Sequence, residues 1–372
     1  IRDGVDAFSR RHHSANVRGQ GRKITEEASM KEVTIIGIDL AKSVFQVHGA
    51  AVDGSTVFRK KLTRLQFVRF MAEQPACLVA MEACGSAHYW GREMKKLGHD
   101  VRLIAPIYVK PFVKRQKNDA ADAEAIVEAA SRPNMRFVSI KTEKQQGRGA
   151  LFRTRELLIR QRTQMVNALR AHLAEFGTIV PMGIRNVKRL AEHIENPENA
   201  LPDSIREVGM AYLGQIGGLT QRIGELEASI KAEAKHSGVS HQLQTIPGIG
   251  PITAMAVEAF APEMGCFDRG RNFSAWLGLV PKQHSTGGKQ ILGRTSRMGQ
   301  KDIRRLLTIG AMSVIKVAVT KGVPESSWLG RMLIRKPRMV VAIALANKMA
   351  RMIWAMLTKG EDYRDPMAET VA

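Results

Sequence analysis

Four acidic residues stand in an order that suits a divalent-metal centre. Asp39 closes the apolar run V-T-I-I-G-I-D, and Glu82 closes L-V-A-M-E. Asp119 and Asp122 fall three apart at the start of a helical pattern, K-N-D-A-A-D-A-E-A. The two apolar runs read as buried strands, and residues at i and i+3 share a helix face. Two strand ends and a helix N-terminus can gather four carboxylates in one pocket. Such hard oxygen donors suit Mg2+, with Mn2+ as an alternative, in a site completed by water and phosphate. A pair of these ions can stabilise the attacking and leaving oxygens of an in-line displacement. Taken singly, each acid has an ordinary explanation: Asp119 as a helix cap, Asp122 as a first-turn acid favoured by the dipole. The reading rests on the set.

The charge balance names the substrate class. Of 372 residues, 57 are Lys or Arg and 35 are Asp or Glu, for a formal net charge of +22. Such an excess favours a polyanion, because each neutralised phosphate releases counterions. A membrane surface is the competing partner. The two apolar stretches at 306–315 and 339–347 are far shorter than the roughly 20 residues that span a bilayer, so no membrane is expected and both read as core helices. Cys77, Cys84 and Cys266 form no C-x-x-C pair. A disulfide or zinc framework is therefore not expected, and a reducing cytoplasm fits. Residues 1–30 are rich in Arg, Gly, Ser and His without an apolar period, and show no signal-peptide pattern. They read as a disordered or non-native extension, with Met30 as the expected natural start.

Two basic segments are candidates for nucleic-acid contact. One is the face of a long helix, with Arg153, Arg155, Arg160, Arg162 and Arg170. The other runs from Lys282 through Lys289, Arg294, Arg297, Lys301 and Arg304 to Arg305, interrupted by one acid, Asp302. It contains H-S-T-G-G-K, which is not a phosphate-binding P-loop because Gln283 stands where a glycine is required. Ser285 is a second candidate centre. A serine is a poor nucleophile until activated, and His284 is adjacent to it. Physical chemistry alone leaves Ser285, Thr286 and Ser296 unranked.

The elements that must position these residues follow from pattern. Residues 33–39, 43–50 and 55–62 read as three antiparallel strands, with Asp53-Gly54 as a hairpin turn. Thr63 caps a helix to about residue 73. A strand at 77–81, a helix at 86–97 stopped by Gly98, a strand at 101–104 and a helix at 119–130 complete a ribonuclease H-like order. Leu151, Leu158 and Met165, seven apart, with Leu169, Leu173 and Phe176 continuing the stripe at spacings of four and three, predict a long helix over 145–176. The segment 213–234 reads as the helix returning alongside it, and 181–203 as a polar connection. T-I-P-G-I-G-P-I-T at 245–253 resembles a helix-hairpin-helix turn, where glycines and helix amides can meet a phosphate.

Taken in order, G-I-D-L-A-K, M-E-A-C-G, K-N-D-A-A-D-A, T-I-P-G-I-G-P-I-T-A, A-W-L-G-L-V-P, H-S-T-G-G-K and G-R-T-S-R-M-G resemble the DEDD transposases of bacterial insertion sequences. The resemblance runs from about residue 31 to 315. The H-S-T-G-G-K form is similar to that of the subgroup whose elements carry short terminal repeats. It implies an α/β plus α chain: a RuvC-like mixed-sheet domain at 31–140, a helical coiled-coil linker at 141–240, a mainly helical transposase domain at 241–360 and a tail at 361–372. It implies that Asp39, Glu82, Asp119 and Asp122 bind metal and that Ser285 is the nucleophile. It also implies donor and target DNA chosen by a bridge RNA, dimers that meet as a tetramer, and action at the bacterial nucleoid. In that scheme Ser285 of one subunit attacks a phosphate held by the acids of another, leaving a covalent protein–DNA link. The basic residues would hold phosphates without reading sequence, and base pairing would do the reading.

Other classes make different demands. A structure-selective nuclease would use the carboxylates alone and be indifferent to Ser285. A sugar-kinase or actin-like ATPase would need glycine-rich nucleotide loops in a second similar half, which the sequence lacks. A nonenzymatic RNA-binding protein would have no need for all four acids and the serine.

Overall fold

The computed structural model describes residues 32–113 and 119–364; the side chains of Asp119 and Ala120 lie outside the described residues. So do the expectations for residues 1–30 and for most of the tail.

The N-terminal part is built on β1 (Ile35–Leu40), β2 (Val44–Ala50), β3 (Thr56–Thr63), β4 (Leu78–Glu82), β5 (Asp100–Ile104) and the two-residue β6 (Phe137–Val138). They form one mixed sheet in the order β3-β2-β1-β4-β5-β6. β1, β2 and β3 are antiparallel neighbours, β4 lies parallel to β1 and β5 parallel to β4, and β6 closes the far edge antiparallel. This mixed architecture is compatible with the expected ribonuclease H-like class.

Side chains alternate across a strand, and here both faces are covered. Ile36, Ile38, Val79, Met81 and Leu103 bury against α1 (Arg64–Ala72) and α2 (Ala87–Lys96) through Phe67, Met71, Trp90 and Met94. α1 starts where the sequence places it. Thr63 and Gln66 form a reciprocal capping box that satisfies two otherwise orphan amides. After β5, the short α3 (Pro106–Val109) leads towards α4 (Asp119–Ala130). On the opposite face Ile35, Ala80 and Ile104 bury against Ala125, Ile126 and Ala129 of α4.

α5 (Glu143–Ala174) begins at a second capping box, formed by Thr142 and Gln145. Thr142→Ala is expected to cost about 1 kcal/mol, read as a lowered thermal midpoint. α6 (Val187–Glu195) follows, and α7 (Asp203–Ala234) returns along α5. The buried seam is one residue out of phase with the first part of the predicted stripe, whereas Leu169 and Leu173 of its second part are buried as expected and Phe176 is exposed. Phe152, Val166 and Leu173 are buried on α5, whereas Leu151, Leu158 and Met165 are half-buried. On α7 the seam is Gly209, Ile216, Ile223 and Ile230, a seven-residue repeat. The polar connection expected at 181–203 in fact contains α6, whose Leu190 and Ile194 are buried. Gly209 makes room for it, since a Cβ there would meet Ile194 Cδ1 at 2.9 Å.

The C-terminal part comprises α8 (Gly238–Gln244), α9 (Pro251–Phe260), α10 (Gly270–Trp276), the hairpin of β7 (Pro281–Gln283) and β8 (Leu292–Thr295), α11 (Lys301–Lys321), α12 (Trp328–Arg335) and α13 (Arg338–Lys359). Both predicted core helices are present. Leu307, Ala311 and Ile315 of α11 and Val341, Ala342, Leu345 and Ala346 of α13 bury in one cluster with α9 and α10. By length and composition α13 passes as a bilayer span, but its apolar stripe is the core of this cluster. Arg148 on α5 joins the parts, donating to Glu233 at 2.6 Å and Glu258 at 2.9 Å from a position only 10% exposed.

Candidate active site

The sheet register sets two of the acids side by side. β1 and β4 pair in parallel from Ile35↔Leu78 to Ile38↔Met81. One residue further along each strand stand Asp39 and Glu82, on strands about 4.8 Å apart. By alternation both belong to the face that α4 covers. The third acid arrives because α4 lies unusually close to β1. A Cβ on Gly37 would meet the carbonyl oxygen of Ala123 at 2.5 Å and Cγ2 of Val127 at 2.6 Å. Glycine at 37 thus lets the helix backbone touch the strand two residues before Asp39, with Asp122 directly before Ala123. Asp119 opens α4 one turn before Ala123, and its side chain lies outside the described residues.

Electrostatics reports the same grouping. Asp39, Glu82 and Asp122 are each half-buried. The Glu82 carboxyl is pushed up from the usual range by burial, and further by the charges of Asp39 and Asp122. A carboxylate held near two others in a partly dry place favours a cation. Among the described residues no three acidic, histidine or cysteine side chains close into a ready-made coordination shell. The oxygen donors fit a divalent ion through their hardness and mutual repulsion rather than through a preformed cage.

Ser285 lies elsewhere in the fold. It is exposed on the β7–β8 hairpin, where its Oγ accepts from the Ile291 amide at 3.3 Å. A turn at Thr286–Lys289 follows, with Gly287 and Gly288 at positive φ. The His284 backbone donates to Ile291 at 2.9 Å, and its imidazole lies over Gly293. No hydrogen bond joins His284 to Ser285 among the described residues. Every partner found for Ser285 is on its own hairpin and none on the sheet that carries the acids. Ser296 is half-buried in the loop after β8, its amide bonded to Val280.

The basic residues divide by what they face. Lys282, Arg294, Arg297, Lys301, Arg304 and Arg305 line one groove of about 2030 Å³ beside the hairpin. Sequence reasoning did not single out Arg269, Arg271, Lys348 and Arg351 of the same groove, because they come from distant segments. Lys289 is exposed on the turn. The groove wall at Arg297 is fixed by interlocking glycines. Gly278 and Gly299, at φ +70 and +76, pack so closely that a Cβ would come 2.1 Å from the Met298 carbonyl and 1.9 Å from that of Trp276. Arg297 itself has φ +53, the one non-glycine residue at positive φ among those described, and Arg304 clamps the carbonyls of Leu277 and Met298 at 2.8 and 2.9 Å. On α5, Arg153 and Arg160 are exposed, and Arg162 donates to Thr220 at 3.2 Å. Arg155 is turned inward to Glu227 and Glu156, and Arg305 also reaches Glu156. Arg170 is spent on the Val180 carbonyl. The first glycine of P-G-I-G serves packing: a Cβ on Gly248, at φ +87, would come 2.8 Å from the Gly310 carbonyl of α11. Gly250 stands in open space at the start of α9.

Comparison with known proteins decides the family. Residues 36–177 match a DEDD transposase family of the IS110 type, and residues 240–322 match the transposase family IS116/IS110/IS902. A probable family 20 transposase of Pseudomonas aeruginosa is 48% identical over 331 residues, covering 88% of this chain and 98% of that protein. The chain belongs to the IS116/IS110/IS902 transposase family. The transposase for insertion sequence element IS1328 of Yersinia enterocolitica is 42% identical, covering 89% of this chain and 98% of that protein. The transposase for insertion sequence element IS1111A of Coxiella burnetii is 36% identical over 365 residues, covering 98% of both. As a DNA transposase of this family the chain acts on DNA. Its matched DEDD domain spans all three described acids and the start of α4, which agrees with a general dependence on divalent metal.

Proposed function

We propose that this transposase cuts and rejoins DNA by phosphoryl transfer at a two-part centre, with Asp39, Glu82, Asp119 and Asp122 as one part and Ser285 as the other. The observation that carries the reading is the convergence of Asp39, Glu82 and Asp122, expressed in the raised Glu82 carboxyl. Bound Mg2+, as one ion or two, would supply charge stabilisation at the scissile phosphate. The chain's residues do the rest. The carboxylates would hold the metal against their own repulsion, and the Ser285 Oγ–P bond would form as the P–O bond to the leaving sugar breaks. The serine proton is released, and the sugar oxygen takes one up. Because Ser285 stands on an exposed hairpin with no partner from the acid-bearing sheet, the two halves are best joined between subunits. This supports a dimer assembling further on DNA. The basic groove beside the hairpin would hold backbone phosphates, and a guide RNA would choose donor and target by pairing. The cytoplasm, at the nucleoid, is the proposed place of action.

A covalent-capture assay tests this reading. Protein, Mg2+, RNA from the element's flank and labelled donor and target DNA are combined and resolved under denaturing conditions. The expected result is an RNA-dependent protein–DNA adduct, absent in both Ser285→Ala and Asp39→Ala. Mixing the two variants should restore part of it if the halves come from different subunits. Cleavage that persists in Ser285→Ala without an adduct would make the chain a carboxylate nuclease and remove Ser285 from the chemistry.

A further inference from the structure

A second cavity, of about 320 Å³, opens at the loop that follows Glu82. Its near wall is the loop after β4, beginning at Ala83, the residue after Glu82. Its other walls bring together His88 of α2, Lys141, and Gln145 and Arg153 of α5, and no carboxylate lines it. The position is where open α/β sheets bind ligands, beyond the carboxyl ends of parallel strands and at helix starts. The start of α2 fits this use, since Ser86 at its N-cap makes no side-chain capping bond to the first-turn amides.

The polar groups of the cavity are arranged as donors. The Lys141 amide donates to Nδ1 of His88 at 3.3 Å, which leaves the ring's proton on Nε2 as a neutral donor. Burial and the cations Lys141, Arg92 and Arg153 hold His88 down at about 4, so it stays uncharged at neutral pH. Arg92 is itself occupied, bonded to the Lys141 carbonyl and to Gln146, with Glu143 beside it. The Lys141 ammonium sits 5.2 Å from the Phe260 ring centroid, and both burial and Arg153 disfavour its charge. Asp302 is the one carboxylate that favours it, from outside the lining. No ion pair is formed by Arg153 among the described residues. Two cations that repel each other, in a cavity without an acid, lack a counter-ion that an oxyanion would supply.

We infer that this cavity is a phosphate subsite, in which Lys141, Arg153 and His88 grip a phosphodiester of the DNA strand whose neighbouring phosphate lies at the acids. The chemistry recognised is a nucleic-acid phosphate, and the wall that continues directly from Glu82 favours the DNA strand being cut over RNA. The inference rests on the reading of Asp39, Glu82 and Asp122 as that centre. Lys141 and Arg153 are positioning residues: they hold the strand in register and do not touch the reacting bond.

The test measures binding of the full chain to a labelled DNA duplex, and to RNA of the same sequence, over a range of salt. Each lost phosphate contact lowers the salt-dependence slope by about 0.9 on duplex DNA. Arg153 is exposed on α5, so Arg153→Gln should keep the thermal midpoint of the wild type. It is expected to weaken DNA binding about tenfold and lower the slope by about one, with Arg153→Lys restoring most of both. Lys141→Gln should do the same, provided that its midpoint is also retained. Asp39→Ala, measured alongside, should lose strand cutting. Normal cutting by Asp39→Ala would sink the acid-centre reading without altering what the slopes say of the cavity. An unchanged slope in Arg153→Gln, or a loss confined to RNA, would overturn the assignment.

Discussion

Glu82→Gln is expected to abolish strand cutting while making the metal-free protein more stable at neutral pH. Both effects come from one charge. Glu82 sits at the end of β4 beside Asp39, half-buried, with Asp122 bearing on it from α4. Ionised Glu82 therefore loses hydration and meets two like charges. Its carboxyl holds its proton more strongly in the fold than in the unfolded chain, so between the ordinary glutamate value near 4.3 and its raised folded value the native state binds more protons. Stability then falls as pH rises through that window, and the deficit remains at every higher pH. Glutamine has no charge to lose, so the variant's advantage should appear as pH rises through the window and vanish below about 4. Activity should move the other way. Residues that merely support a metal ligand cost 10–100-fold when changed, so loss of a direct ligand should exceed roughly a hundredfold. Thermal melts of wild type and variant across pH, without metal, check the first half, and single-turnover cutting with Mg2+ checks the second. Added Mg2+ should raise the melting temperature of the wild type more than that of Glu82→Gln, because binding to the folded state stabilises it by mass action. A variant less stable than wild type at pH 7 would mean that Glu82 is held by partners rather than strained by them.

Much of the fold around this candidate centre was legible in the sequence because each piece has a local signature. Apolar runs ending in an acid mark strands that carry a carboxylate at their C-terminal ends, and Thr63 announces the start of α1 before any tertiary contact forms. The misses have the opposite character. β6 is two residues long, and its pairing with β5 is tertiary, so no pattern could reveal it. Val187, Leu190 and Ile194 do carry helical spacing, but the face they make has meaning only against Gly209 of α7. The start of α7 at Asp203 was available from Pro202 just before it, a residue that cannot continue a preceding helix yet readily starts the next. Among the arginines of the long helix, periodicity could not separate Arg155, held by Glu227 from another helix, from exposed Arg153. Charge counts record how many cations a face carries, and only the fold shows which are already neutralised.

Gly37 tests how the fold delivers its acids, because it has no side chain of its own to hold metal or DNA. Gly37→Ala adds one methyl group, and that group would lie 2.5 Å from a backbone oxygen and 2.6 Å from a valine methyl of α4. Neither contact can be relieved by rotating a flexible side chain, so the helix must lift from β1 or slide along it. Lifting opens the cluster of Ile35, Ala80, Ala125, Ile126 and Ala129, and overpacking of this kind costs about 1–3 kcal/mol. The larger consequence is geometric. Asp122 and the start of α4 are carried by the displaced helix, whereas Asp39 and Glu82 stay with the sheet. A shift of about 1 Å in a reacting constellation can cost on the order of a hundredfold, so cutting should fall far more than folding does. DNA binding should persist, because the basic groove belongs to the C-terminal helices and does not depend on α4. The Glu82 carboxyl supplies an internal gauge: with Asp122 moved away, its raised titration should relax towards the ordinary range. A Gly37→Ala protein that folds, binds DNA and cuts at the wild-type rate would show that α4 need not approach so closely, and that the centre is assembled by DNA and metal rather than by packing.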